Sequence, residues 1–380
     1  MIRLWLPSSK ERFFIVELLP EGRRGLIVAL DKERHLSLEK IVERVVPQDL
    51  ARWQKMRPAA RHIIIAVHHS LAMTVTVPIK LEREAELHRE LVSAVELENL
   101  LAQSMVKVFN QYRESVARAL NVDELDAILV GNKVHSFKVD GHHVMSPLGF
   151  TGSVVSAVLE LTLTTRPIFE DWKQFFNATK GFFFTELARA ELVALHKNES
   201  LPIQLIIVEL QDGAVFILDK AAIGTMMYRG KLEWRTEILH ELISEHWAVS
   251  PHVAKKIYHL STIGHLSPST ARTIQKAMKP GLDALFSRLE RTKLRGTVYI
   301  ETPVPLPFVL PHKDGKVTIA DVPLGALIHK LGFSLDFDEW PFEPNQIFRR
   351  LAPFLEFYYD KSDSEVNHWL RRRLHWLAPS

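Results

Sequence analysis

The sequence predicts an α/β protein built from two related halves, and three observations lead to this prediction. Hydrophobic residues make up 47% of the 380 residues, enough to build a core in more than one domain. Residues 206–220 contain two apolar runs of strand length joined by a polar turn with Gly213, the pattern of a buried β-hairpin. Residues 14–32 repeat it, and both copies run Ile-Val-Glu-Leu, turn, apolar strand, Leu-Asp-Lys. A hairpin repeated so far along the chain indicates a duplicated domain.

Composition excludes several classes of protein. The 48 Lys and Arg against 45 Asp and Glu give a net charge of +3, too balanced for wholesale nucleic-acid binding, and no nucleic-acid partner is predicted. The chain has no cysteine, which excludes disulfides, zinc–thiolate sites and cysteine nucleophiles, and no metal site is predicted. The N-terminus has too short an apolar run for a secretory signal, and no window approaches the roughly 18 apolar residues of a membrane span.

The first half is predicted to continue after its hairpin with short helices over residues 36–46 and 48–56. Residues 61–67 are a run of apolar residues typical of a buried parallel strand. Residues 73–78 alternate like another strand. We assign residues 1–80 and 167–200 to this first domain.

An inserted α+β module is predicted over residues 81–166. Its first part, to about residue 120, is charged and has Leu and Val at helical spacing. A strand pair follows, with a turn at Asp140-Gly141 and a segment Pro-Leu-Gly-Phe-Thr-Gly beginning at Pro147. A strand over residues 154–164 closes the module.

The second half is predicted to start with the hairpin at residues 201–222 and to end with residues 297–358. Between them, residues 223–296 form a subdomain with helices over residues 236–246 and 268–291. In this subdomain twelve Lys and Arg oppose six Asp and Glu, so it is locally basic.

The C-terminal residues 359–380 are predicted to be a polar linker and an amphipathic helix, with Ser364 as the N-cap. At about 100° per residue, Trp and Leu side chains fall on one face and Arg and His on the other. This is the chemistry of an interfacial membrane anchor. The residues predicted to form it are Val366, Trp369, Leu370, Arg371, Arg372, Leu374, Trp376 and Leu377. The alternative is a terminal helix that packs its Trp face on the protein's own core.

The order of these elements over residues 12–358 resembles the actin-like cell-division protein FtsA and its relative PilM of the type IV pilus assembly platform. The matched features are the paired hairpins, the inserted module with Val139-Asp140-Gly141 before the Pro-x-Gly-x-x-Gly segment, and the glycines near residues 224 and 230. The resemblance implies an actin-like ATPase fold, duplicated from a ribonuclease H-like unit, with an inserted SHS2-type domain.

The nucleotide site that the resemblance implies is degenerate in this sequence. A phosphate-binding turn needs glycines, because backbone N–H groups must approach the phosphates closely, and it needs an acid for hydrated magnesium. The residues left for this role are Glu17, Gly22, Glu209, Asp212 and Gly213. On the adenosine side, the sequence Ala254-Lys255-Lys256-Ile257-Tyr258 stands where the family has Ala-Glu-x-x-Lys. The proline-rich segment 302–307 stands where the family has a Gly-Gly turn. We expect no required cofactor, with Mg–ATP binding weak if it occurs, and no ATPase activity.

The family also implies partners. In FtsA the matching subdomain binds the C-terminal tail of the tubulin-like division protein FtsZ, so the basic face is a predicted docking surface, with Arg235, Lys255, Lys256 and Lys276 as its residues; an ordinary solvated surface is the alternative. The sequence leaves self-association open.

The function predicted on this basis is a membrane-tethered scaffold of bacterial cell division at the cytoplasmic face of the inner membrane. A pilus or secretion platform subunit like PilM is the first alternative, and it would bind a short N-terminal peptide of an inner-membrane partner. An active ATPase of the actin and Hsp70 type is the second.

Overall fold

A computed structural model describes residues 10–55, 61–176, 182–292, 294–302, 304–360 and 365–373. The strands are, in chain order, β1 (Glu11–Leu19), β2 (Gly22–Leu30), β3 (His35–Val42), β4 (Arg61–Val67), β5 (Ala72–Glu82), β6 (Ala127–Val139), β7 (His142–His143), β8 (Val154–Thr165), β9 (Phe182–Glu186), β10 (Ile203–Val208), β11 (Gly213–Lys220), β12 (Thr225–Lys231), β13 (Gly296–Glu301), β14 (His312–Asp314), β15 (Val317–Ala320) and β16 (Ser334–Leu335). The helices are α1 (Pro47–Lys55), α2 (Ala94–Leu120), α3 (Arg166–Phe176), α4 (Leu187–His196), α5 (Glu237–Trp247), α6 (Pro251–Thr262), α7 (Pro268–Arg291), α8 (Leu324–Lys330), α9 (Pro344–Tyr359) and α10 (Glu365–Arg373). Among these described helices, none has the length and apolar character to cross a bilayer.

The first sheet has the strand order β16-β3-β2-β1-β4-β9. The hairpin β1–β2 is antiparallel, and β1–β4 and β4–β9 are parallel. Alternate residues of β1 point to one face, where Phe14, Val16 and Leu18 pack with the fully buried Trp172 of α3. The predicted first hairpin is therefore the centre of a mixed sheet that needs helices on both faces.

The second sheet repeats this arrangement with the order β12-β11-β10-β13-β15-β14. Its hairpin β10–β11 is antiparallel, and β10–β13 and β13–β15 are parallel, so β15 stands where β9 stands in the first sheet. Ile206, Val208 and Val215 of the hairpin lie in one core with residues of α5, α6 and α7. The predicted fold class, a duplicated actin-like α/β fold, is confirmed by this repeated topology.

The inserted module is a four-stranded sheet, β5-β8-β6-β7, covered by α2. Helix α2 begins after Ser93, whose side chain accepts a hydrogen bond from the amide of Glu96, as an N-cap does. Strand β5 pairs with β8 along its whole length, from Ala72 to Glu82. The predicted start of the module at residue 81 is therefore too late, because the strand assigned to the first domain belongs to the inserted sheet.

Residues 36–46 are not the predicted helix. Strand β3 pairs with β2, with Leu36 opposite Leu30 and fully buried. Leu36 and Leu38 alternate along β3, opposite Leu30 and Val28, because pairing with β2 outweighs local propensity.

The chain forms two compact units. The first comprises Met1–Leu201, Asp219–Met227 and Leu324–Ser380, and the second comprises Pro202–Leu218 and Tyr228–Pro323. Assigning all of residues 297–358 to the second half was therefore wrong. After β15 the chain returns to the first unit, where β16 pairs in parallel with β3 and α9 packs against β1 and α4.

A buried ion network joins the inserted module to the body of the first unit. Arg189 of α4 lies 2.5 Å from a carboxylate oxygen of Glu160 in β8 and also pairs with Glu356 of α9. His135 of β6 contacts the same Glu160 at 3.3 Å. Burial opposes ionisation of Glu160, but Arg189 and His135 outweigh it and hold the pKa of this carboxyl well below its ordinary value. The module is thus fixed by charged groups that cannot separate without leaving a buried charge unpaired.

Candidate functional site

The first hairpin turn is too short to cradle a phosphate. Strands β1 and β2 pair as far as Leu19 and Gly22, so the turn consists of Pro20 and Glu21. Pro20 has no N–H to donate. A Cβ added to Gly22 would meet no atom within 4 Å, so close packing does not require glycine there. The turn keeps the hairpin shape without the row of free amides that a phosphate needs.

Glu17 of β1, the acid predicted for the nucleotide site at this hairpin, has a buried and ion-paired side chain. It is 1% exposed. Its carboxylate accepts a hydrogen bond from Arg24 Nε at 2.7 Å, the residue opposite it in the β1–β2 ladder. Arg350 of α9 lies 3.5 Å from the same oxygen. Burial lowers the pKa of the Arg350 guanidinium, and Glu17 acts in the opposite direction. The Glu17 carboxylate therefore neutralises the guanidinium groups of Arg24 and Arg350 beneath α9.

Several backbone groups of the second hairpin turn are bonded within the turn or to the start of α5. The amide of Glu209 donates to the carbonyl of Asp212 at 2.8 Å. The first amides of α5 are also used, because Thr236 donates to the Glu209 carbonyl at 2.9 Å and Glu237 donates to the Leu210 carbonyl at 3.1 Å. The helix N-terminus beside the turn, a common phosphate-binding element, is thus occupied by the turn itself.

Gly213 has a packing role that explains why the glycine is present. A Cβ at this position would lie 2.7 Å from the carbonyl oxygen of Trp234 and 3.1 Å from that of Leu232. The amide of Leu232 donates to the Gly213 carbonyl at 2.9 Å. The glycine permits close approach of the chain after β12, and this single remaining glycine does not indicate a phosphate site.

The residues predicted on the adenosine side line a pocket of about 200 Å³ in the second unit. Lys255 and Tyr258 of α6 form one wall, and Val304 and Pro305 after β13 form another. The hydroxyl of Tyr258 donates to the carbonyl of Pro305 at 2.6 Å, which ties the two walls together. His240 of α5 also lines the pocket.

Sequence reasoning missed His240, because nothing in the sequence shows that α5 packs its histidine against α6. His240 is 5% exposed, and its ring meets that of Tyr258 edge to face with centroids 4.9 Å apart. One signal in the sequence pointed to this pocket: Lys255, on the wall next to His240, is basic where the resemblance implies an acid.

The residues present do not fit an actin-type Mg–ATP site. The predicted acid Glu17 is held in ion pairs, the amide of Glu209 and the first amides of α5 are bonded within the unit, and the base pocket is smaller than the roughly 300–1,000 Å³ usual for small-molecule sites. Pro303, in the segment that replaces the Gly-Gly turn, lies outside the described residues.

The C-terminal helix α10 packs its apolar face on the inserted module. Val366, Trp369 and Leu370 are buried in the same core as α2 and β6. Asn367 accepts a hydrogen bond from the amide of Val134 at 2.7 Å and donates to its carbonyl at 3.1 Å. In the structure, the described part of this helix packs its apolar face on the protein's own core, which was the alternative to a membrane anchor.

The other predicted anchor residues follow Leu370 in the sequence, and the structure does not describe their side chains. The helix extends to Arg373, and nothing is described for the side chains of Arg371 and Arg372. The remaining three, Leu374, Trp376 and Leu377, lie outside the described residues.

The basic face of the second unit is less basic than its sequence indicates. Arg235 contacts Glu241 at 2.8 Å and Glu237 at 3.5 Å, both within its own helix region. Lys256 and Lys276 are exposed, and the remaining predicted residue of α6 lines the pocket. Arg235 is therefore ion-paired and Lys255 lines the pocket, and docking at this face stays a prediction.

Neither a protein-family model nor a curated protein matches this sequence. Among solved structures, the chain is similar to that of a PilM–PilN type IV pilus biogenesis complex, with 12% identity, a TM-score of 0.43, and coverage of 96% of this chain and 98% of that one. Ethanolamine utilization protein EutJ from Carboxydothermus hydrogenoformans gives 10% identity, a TM-score of 0.32 and coverage of 92% and 90%. A Bacteroides thetaiotaomicron protein with an actin-like ATPase fold and unknown function gives 10% identity and a TM-score of 0.26, with coverage of 66% of this chain and 81% of that one. The sheet topology assigns the chain to the actin-like fold, and these likenesses extend no further than that fold.

Proposed function

We propose that this protein is a non-hydrolysing actin-like scaffold, which holds protein partners and does not turn over ATP. The observation that supports this proposal is that groups of the protein itself occupy both hairpin turns. Glu17 is neutralised by Arg24 and Arg350, and the amide of Glu209 and the amides at the start of α5 are bonded locally. Hydrolysis of ATP relies on positioned charges and a metal ion, and the predicted acid Glu17 is already held in ion pairs.

The setting we propose is a membrane-bound assembly platform of the pilus type, at the cytoplasmic face of the inner membrane. The feature that favoured a division role was the C-terminal anchor, and its residues Val366, Trp369 and Leu370 are buried against the inserted module. With those side chains engaged, attachment to the membrane would come through a membrane protein partner. The family resemblance implies a short N-terminal peptide of such a partner.

Calorimetric titration with Mg–ATP tests the scaffold proposal. We expect no saturable heat up to about 1 mM nucleotide, and no phosphate release above the buffer rate, because the groups that would bind the phosphates are already paired. The Glu21→Ala variant, which changes only the exposed turn, is the matched control and should behave identically. Micromolar affinity, or turnover that Glu17→Ala abolishes, would contradict the proposal and favour an active ATPase.

A division scaffold with a tubulin-like partner is the second candidate. The observation that favours it is the exposure of Lys256 and Lys276 on α6 and α7, where an acidic tail would find accessible cations. A fluorescent peptide with the sequence of an acidic FtsZ C-terminal tail should then bind, and Lys256→Glu with Lys276→Glu should weaken binding at least about tenfold. Arg235→Gln is the control, since that side chain is already paired with Glu241. Equal binding by all three proteins would exclude this face.

A further inference from the structure

The pocket between α5, α6 and the segment after β13 has a chemical character of its own. Two sides are apolar, formed by Leu210 of the second turn and by Val304 with Pro305. The polar side chains at the pocket are cationic or neutral, and no carboxylate is among its described lining residues. A pocket of this kind favours a ligand that combines an apolar body with a negative charge.

His240 is the buried polar group of this pocket. Its side chain is 5% exposed, and Nδ1 has no hydrogen-bond partner among the described residues. The ring of Tyr258 lies against His240, but its hydroxyl donates a hydrogen bond to the Pro305 carbonyl and not to the imidazole. A buried imidazole nitrogen without a partner is rare in folded proteins, and it indicates that the hydrogen bonding of this pocket is incomplete.

The permanently charged side chain that lines the pocket is the cation Lys255. Lys255 and His259 of α6 both line it and are exposed toward solvent. The carboxylates of Glu237 and Glu241 on α5 are not among the described lining residues, and their shared partner Arg235 offsets one of their two charges. Burial, and then the charge of Lys255, lower the pKa of His240, against the opposite influence of those two carboxylates.

We propose that this pocket binds a small organic oxyanion, a carboxylate or a phosphate monoester with a short apolar body. The anionic group would face Lys255 and His240, and the apolar body would contact Leu210, Val304 and Pro305. The volume of about 200 Å³ limits the ligand to a few heavy atoms beyond the anionic group. This site goes beyond the scaffold role, and it needs neither hydrolysis nor the phosphate turns.

Nuclear magnetic resonance of the 15N-labelled histidine rings in the full chain tests the proposal. The probes are sodium butyrate, methyl phosphate and neutral butyramide, and the His240 signals are assigned by their loss in His240→Gln. We expect butyrate or methyl phosphate to shift the His240 signals saturably and to raise its pKa, while butyramide leaves them unchanged. Comparing the two anions distinguishes a carboxylate ligand from a phosphate ligand.

Two lysine variants make the test specific. Lys255→Gln should weaken binding of the active anion about tenfold, the loss expected for one charge-assisted contact. Lys256→Gln changes the adjacent exposed lysine, which does not line the pocket, and should bind as the unmodified protein does. The proposal is overturned if neither anion gives a saturable shift below about 20 mM, if butyramide shifts His240 equally, or if the two variants behave alike. Binding of Mg–ATP, tested separately by calorimetry, would contradict the scaffold role and would leave the oxyanion site untouched.

Discussion

Glu17→Ala is expected to destabilise the first unit by about 3 kcal/mol, because it leaves the buried guanidinium of Arg350 and its neighbour Arg24 without their carboxylate. The structure places Glu17 under α9 at 1% exposure, so water cannot replace the lost charge. The expected result is a lower thermal midpoint and a lower denaturant concentration at half-unfolding. A residue that served only a nucleotide would give neither change.

The control for this variant is Glu21→Ala in the same hairpin. Glu21 is exposed in the turn, so its loss should change stability by less than about 0.5 kcal/mol. Glu17→Gln tests the charge separately, since it keeps the shape of the side chain and removes the ion pairs. Unchanged stability in both Glu17 variants, together with a changed response to Mg–ATP, would overturn the structural role and restore the nucleotide role.

Trp369→Ala is expected to release α10 from the inserted module. Truncating a buried tryptophan costs about 3 kcal/mol, and α10 is short and has few other large side chains in the core. The measurement is amide hydrogen exchange at Val134, whose N–H donates to Asn367. We expect exchange there to become faster by on the order of a hundredfold, the change that corresponds to this free energy.

His368→Ala is the matched control, because His368 is exposed on the same helix between two buried residues. It should leave exchange at Val134 unchanged. Fast exchange at Val134 in the unmodified protein would show that α10 is undocked in solution. That outcome would contradict the packed arrangement and favour the membrane anchor, which co-sedimentation of the full chain with anionic vesicles would then measure.

The parts of the fold that were predictable are those whose pattern is local. The hairpins were recognisable because apolar runs, a turn and an Asp-Lys ending recur together. Helix α7 was predicted over the residues it occupies, Pro268–Arg291, because a proline follows the serine at its N-cap. The topology of each half then follows from the resemblance to actin-like proteins.

The errors concern pairings between distant residues. Strand β16 joins Ser334 to His35, and no local pattern indicates that residues 300 positions apart share a sheet edge. The same holds for β3, where a segment predicted to be a helix is held extended by its pairing with β2. Tertiary contacts decide such segments, because propensity differences between helix and strand amount to about 1 kcal/mol.

The candidate site divides in the same way. The loss of glycines at the turns was evident from the sequence, since a turn without them cannot bring its amides to a phosphate. The internal pairing of Glu17 was not evident, because Arg350 lies far along the chain on α9. The unpaired nitrogen of His240 required the packing of α5 on α6, which the sequence does not specify.

Asn367 also has a consequence for solubility. Strand β6 meets β7 only at Lys138 and Val139, so among the described residues the rest of that side has no neighbouring strand. An uncovered edge of this kind is where another chain can add a strand and begin aggregation. The carboxamide of Asn367 meets both the N–H and the C=O of Val134, as a strand would, and yet it cannot continue the ladder. We therefore expect the C-terminal helix to hinder edge-to-edge association of this protein with its own copies.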